Sequence, residues 1–154
     1  MMNTIATPGV VAALAARLAA LRPDTPRRWG TLTAGEMLCH LADSGASVLG
    51  QRPRSGPPTL AGRRPFVKWA ALYTSLPWPK GVETRASVDP RAGGTCPGDF
   101  EEDRRRVITR LGELAAAPAA TFAPTHLHFG PMSRRDWHRW AYRHVDHHLR
   151  QFGL

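Results

Sequence analysis

The stretch SRRDWHRWAYRHVDHHLRQFGL, Ser133 to Leu154, decides how the rest of the chain is read. Ser133-x-x-Asp136 is a capping pattern, and Gly153 supplies a stop, so the spacing predicts a helix over about 133–152. With His144 set at zero and about 100° per residue, His148 falls near +40°, Trp137 near +20°, Trp140 near −40° and Gln151 near −20°. His144 and His148 therefore share the face that carries two tryptophans, which must be the buried one. His147 lies at the edge of that face. His138 points away, and Arg139, Tyr142, Asp146 and Arg150 fall on the far side.

Three further segments have helical period and start signals. The first runs from about Pro8 to Leu21, with Val11, Leu14, Leu18 and Leu21 as an apolar stripe closed by Pro23 and Pro26. The second runs from about Thr33 to Leu49, opened by the capping box Thr33-x-x-Glu36 and stopped at Gly50. The third runs from about Phe100 to Ala117, capped by Asp99 and closed by Pro118. A long Pro- and Gly-rich connection, Gln51 to Gly98, joins the second to the third. Within it Pro65 to Leu76 reads as a short buried helix, and Pro77 to Thr95 as ordered loop. A connection this long is unusual unless it serves a purpose such as covering a site. No clean strand alternation and no internal repeat exists. The expected architecture is all-α, a four-helix bundle with one long crossover, in a single domain over residues 1–154.

The chain has 154 residues, 42% hydrophobic and 21% charged, the composition of a globular domain large enough to fold on its own core. No apolar run reaches the length of a membrane span. The Ala- and Leu-rich start lacks a cationic leader and carries Arg17, so a cytoplasmic location is expected. The net charge is +9, yet only Lys68 and Lys80 are lysines and the arginines are scattered. A nucleic-acid footprint would gather them on one element with interleaved aromatics, so nucleic acid is not expected as a partner. Cys39 and Cys96 have no metal-type spacing, and Cys39 reads as a small buried residue rather than a nucleophile.

Two imidazoles at i and i+4 on one face can hold one divalent metal, and a third ligand must come from another helix. The candidate is His40, in the middle of the second helix between an apolar stripe (Met37, Leu41, Val48) and a polar one (Glu36, Asp43, Ser44, Ser47). Two buried imidazoles with no metal would each need hydrogen-bond partners. The polar stripe has two readings: a cleft lining with acid–base groups, or an ordinary solvated face. His126 and His128 precede the last helix and should lie about 15 Å or more from His144 along the axis, unless the loop folds back.

The segments WGTLTAGEMLCHLADS (Trp29 to Ser44) and HVDHHLRQFG (His144 to Gly153) resemble the DinB/YfiT-like superfamily. The closer likeness is to its branch called domain of unknown function 1569, with Pro79-Lys80-Gly81 matching a PKG-type loop and His126 to Gly130 standing in for an H-x-x-FG element, where Leu127 replaces the branch's proline. The resemblance implies a four-helix bundle with a three-histidine divalent metal site. Its ligands map to His40, His144 and His148, the set that the helix wheel selects.

Zinc or nickel is the expected ion. The remaining pocket candidates are Glu36, Asp43, Ser47, Trp137, Trp140, His147 and Gln151. Three imidazoles leave a coordination position open, as in catalytic rather than structural sites. The resemblance implies a small-molecule substrate, with a metal-dependent thiol transferase using a low-molecular-weight thiol such as glutathione as the first reading. A metal-dependent hydrolase and a non-enzymatic stress-linked module are the alternatives. A homodimer is compatible with all three.

Overall fold

Residue Thr33 begins the helix around which the others are arranged. Its hydroxyl accepts from the Glu36 amide, and the Glu36 carboxylate accepts from the Thr33 amide in return, so both ends of the capping box are made. The computed structural model describes residues 3–53 and 65–154. Among these the helices are α1 (Val10–Ala19), α2 (Ala34–Val48), α3 (Pro65–Tyr73), α4 (Phe100–Ala116) and α5 (Arg134–Gln151). Residues 54–64 of the expected connection lie outside the described residues.

The fold is all-α, a bundle of α1, α2, α4 and α5 with α3 on the crossover between α2 and α4. Helix α2 packs most closely against α4 and also meets α5, while α1 sits against α4 and α5. Every residue of α2 from Met37 to Val48 is buried, so this helix is enclosed by its partners and by the crossover. Leu14, Leu18 and Leu21 from the first segment, Met37 and Leu38 from α2, Val107, Leu111 and Leu114 from α4, and Trp137 and Leu149 from α5 fill one continuous core. Helix α4 is capped by the Asp99 carboxylate on the Glu102 amide, and α5 by the reciprocal Ser133–Asp136 pair.

Four details depart from the sequence reading. Helix α1 starts at Val10, with Gly9 in the left-handed region before it, and Leu21 reaches the core from beyond the helix end. Helix α3 ends at Tyr73 rather than Leu76, because the Thr74 hydroxyl takes the Ala70 carbonyl and Pro77 disfavours helical backbone just before it. It is a surface helix rather than a buried one: Leu72 is buried against the bundle, while Phe66 and Trp69 are 71% and 54% exposed.

The third departure is a two-residue antiparallel ladder, β1 (Thr125–His126) with β2 (Gly130–Pro131), pairing His126 with Gly130. It is too short to leave an alternation in the sequence. The fourth concerns α5, whose buried arc is wider than the tryptophan face. His138 is buried, with Nε2 donating to the Leu114 carbonyl at 3.1 Å. Asp146 is buried beneath Arg17 of α1, which it meets at 2.8 Å. A helix in contact with four others has almost no free side, so a far-side position does not mean an exposed one.

Leu38 is fully enclosed in this core. Leu38→Ala is expected to lower unfolding free energy by about 2–5 kcal/mol, read by denaturant titration, with the helical circular dichroism of the native baseline retained.

Candidate metal centre

Helix α2 brings His40, and one turn of α5 brings His144 and His148, to a common point. The three ring centroids form a near-equilateral triangle with sides of 5.0, 4.9 and 4.9 Å. One ring nitrogen from each lies within 4.8 Å of the other two, and the Nε2 atoms of His40 and His144 are 3.1 Å apart. His40 is buried, whereas His144 and His148 keep part of their surface open.

In two of the three rings the opposite nitrogen is engaged. His40 Nδ1 donates to the Val88 carbonyl at 2.9 Å, and His148 Nδ1 donates to Gln151 Oε1 at 3.0 Å. The Gln151 amide nitrogen in turn donates to the Trp29 carbonyl at 2.7 Å, which fixes the direction of the carboxamide. Both carbonyls can only accept, so in His40 and His148 the proton is on Nδ1 and Nε2 presents a bare lone pair to the cluster. Gly30 has φ +79°, and a Cβ there would run into Gln151 Nε2, so the Trp29-Gly30 step is shaped to admit this side chain. The Arg28 amide also donates to the Gln151 backbone carbonyl at 2.6 Å.

All three imidazoles are held neutral. Burial, then the neighbouring imidazoles, pushes His144 and His148 well below the ordinary 6.5. Burial also lowers His40, against the opposing pull of the Val88 hydrogen bond, Asp43 and Asp89. Converging lone pairs with a single shareable proton among them are poorly matched to one another and well matched to a cation. Two nitrogens bound to one tetrahedral ion at about 2.0–2.1 Å stand roughly 3.3 Å apart, close to the observed His40–His144 separation. The cluster is therefore compatible with a divalent metal.

The other pocket candidates divide. Trp140 stacks on His144 at 4.7 Å, and His147 meets the ring of His148 at 5.3 Å. Trp137 is core, its indole donating to the Ala123 carbonyl at 2.8 Å. Gln151 stands behind His148 rather than in the opening. Glu36, Asp43 and Ser47 turn to the crossover instead of the cluster. The Arg91 guanidinium grips Glu36 at 2.6 and 2.7 Å and holds its carboxyl down to about 2. Asp43 accepts from the amide and hydroxyl of Thr95 at 2.6 and 2.9 Å and from Arg52 at 3.2 Å, and Ser47 donates to the Pro53 carbonyl at 3.3 Å. Arg52 also binds the carbonyls of Ser87 and Gly93. These contacts pin the segment whose Val88 carbonyl orients His40. Asp43, Ser44 and Ser47 are buried, which removes the solvated-face reading for them.

The crossover also contributes Trp78, which the sequence does not single out, at 6.2 Å from His144 and 5.9 Å from His147. His126 requires a correction. The β1–β2 hairpin folds back along α5, so His126 lies 5.6 Å from Trp137 and 5.8 Å from Trp140 by ring centroids, far closer to the cluster than an axial extension would allow. It remains outside the three-histidine group. Cys39 is fully buried, and burial, then Asp103, pushes its thiol up to about 12, so it is inert.

A family model described as the DinB superfamily matches residues 6–152, a span that includes all three histidines, the Trp29-Gly30 step and Gln151. The chain belongs to the DinB superfamily. The match stands at the level of the superfamily. No curated protein and no solved structure matches the chain. Among the described residues of this DinB-superfamily chain, no helix is long and apolar enough to cross a membrane.

Gln151→Ala is expected to weaken binding of added zinc by roughly 10- to 100-fold in a competition titration. The metal-stripped protein should lose stability with acid. The native imidazoles resist protonation, while the unfolded chain takes protons near 6.5. Unfolding free energy should therefore be flat at alkaline pH and fall between about pH 7 and pH 5, with a shallower slope when His144 and His148 are both glutamine.

Proposed function

We propose that His40, His144 and His148 hold a divalent ion, zinc or nickel, and that the centre serves a metal-dependent thiol transferase acting on small electrophiles. The observation that carries this reading is the three-imidazole triangle, oriented from behind on two of its members and partly open at His144 and His148. An all-nitrogen donor set of neutral imidazoles suits zinc and nickel, and three protein ligands with an open side are the arrangement of metals that meet substrate. When bound, the ion supplies Lewis acidity that lowers the pKa of a ligating thiol.

The chain's own residues supply orientation and enclosure. Val88 and Gln151 hold two imidazoles in one tautomer, and Trp140, Trp78 and His147 wall the opening with rings. In the reaction, the sulfur of a low-molecular-weight thiol forms a bond to carbon of the electrophile. The thiol proton passes to water, and a leaving group departs with the carbon's bonding pair, or carbon takes up a proton when the electrophile is an activated double bond. The engagement of Glu36 with Arg91 and of Asp43 with Thr95 and Arg52 favours this over hydrolysis, since those carboxylates are the α2 groups that would otherwise activate water.

Purified protein should carry about one divalent ion per chain by elemental analysis, and replacing His40, His144 and His148 with alanine should remove it. The zinc-loaded protein should bind a small thiol but not its S-methyl analogue in calorimetry. Conjugation of that thiol to an electrophile should be faster with wild type than with His144→Ala. Unaltered metal in the triple variant overturns the ligand set. Equal rates with a panel of thiols overturn the transferase and leave the hydrolase and the non-enzymatic module.

A further inference from the structure

Two cations lie beside the cluster, each over a tryptophan ring. Lys80 Nζ is 4.4 Å from the centroid of the Trp29 ring, and Trp29 meets His147 edge-on at 6.0 Å. The Arg143 guanidinium is 5.8 Å from the centroid of Trp78, which lies against both His144 and His147. Each cation is thus one tryptophan ring removed from His147, Lys80 on the crossover and Arg143 on α5.

Neither cation has an acid of its own. Among the described residues Lys80 and Arg143 form no ion pair, although many of the chain's other basic side chains do. Glu83, three residues beyond Lys80, is exposed and pairs with neither. Asp146, which acts on Arg143 from a distance, is committed to Arg17 and Arg150 at 2.8 Å each. Arg143 spends one donor on the Leu76 carbonyl, which leaves the rest of its fork. A ring over which a cation lies has its charge attracted but not neutralised.

We propose that this rim receives an anionic group of the substrate, a carboxylate or similar small oxyanion, between Lys80 and Arg143, with the faces of Trp29 and Trp78 taking an apolar or planar part of the same molecule. The location rests on the metal-centre reading, and the chemistry of the rim does not. The site takes an anionic thiol or an anionic electrophile and discriminates against cationic ones of the same size.

Two measurements test it. The first compares 3-mercaptopropionate, 2-mercaptoethanol and cysteamine on the zinc-loaded protein by calorimetry. Affinity should fall in that order, with the anionic thiol roughly tenfold tighter than the cationic one. Lys80→Gln should narrow the spread, and Lys80→Gln with Arg143→Gln should abolish it at unchanged zinc content.

The second needs neither thiol nor metal. In a Trp69→Phe background, which removes the exposed α3 indole and in which the variants below are made, iodide should quench tryptophan fluorescence more strongly than caesium, relative to neutral acrylamide. The double variant should lose that preference, whereas Arg22→Gln with Arg105→Gln, which removes the same charge at exposed sites elsewhere, should keep it. Lys80 is exposed, so its single variant leaves the core untouched and still reports. Uniform affinity across the thiols, or an iodide preference unchanged in the double variant, overturns the proposal. If no thiol binds while the iodide preference disappears in the double variant alone, the anionic rim stands and the thiol reading fails.

Discussion

His40 sits in the middle of a helix buried along most of its length, and an imidazole there is tolerated only when neutral and with its nitrogens engaged. The Val88 carbonyl satisfies Nδ1, which commits Nε2 to act as an acceptor facing α5. His148 is treated the same way from the other helix, through Gln151 and the Trp29 carbonyl. Once both are oriented, their lone pairs converge beside His144, and the cluster has the polarity of a cation site before any ion is considered. The depressed basicity of all three follows from that enclosure, since a charged imidazole would lose hydration and meet its neighbours.

The polar residues of α2 acquire their meaning from the same requirement. A carbonyl from a long connection can orient His40 only if that connection is held in place, and Glu36 and Asp43 do the holding through Arg91, Thr95 and Arg52. The ion pairs are partly enclosed and reinforced by backbone contacts, a setting in which they specify geometry more than they add stability. The crossover is thereby both a wall of the opening, through Trp78, and a positioning device, through Val88.

Superfamily membership agrees with this layout at the level it addresses, because the matched span covers the elements that build the cluster. The inference about substrate charge comes from elsewhere, from two cations held over tryptophan rings with no acid assigned to either.

Much was legible in the sequence for local reasons. Capping boxes at Thr33 and Ser133, the Asp99 cap and the closing prolines act over a few residues, so they set the four long helices nearly to their observed ends. The i, i+4 spacing put His144 and His148 on one face, the border of an apolar and a polar stripe marked His40 as the third candidate, and the resemblance implied the same set. Contacts between distant segments were not legible. That Asp43 faces Thr95, that Gln151 reaches Trp29, that the His126 hairpin folds back on α5 and that Asp146 is buried under Arg17 are decided by which elements pack together. Helical periodicity sorts side chains by angle around an axis, and only the assembled bundle determines what stands at each angle.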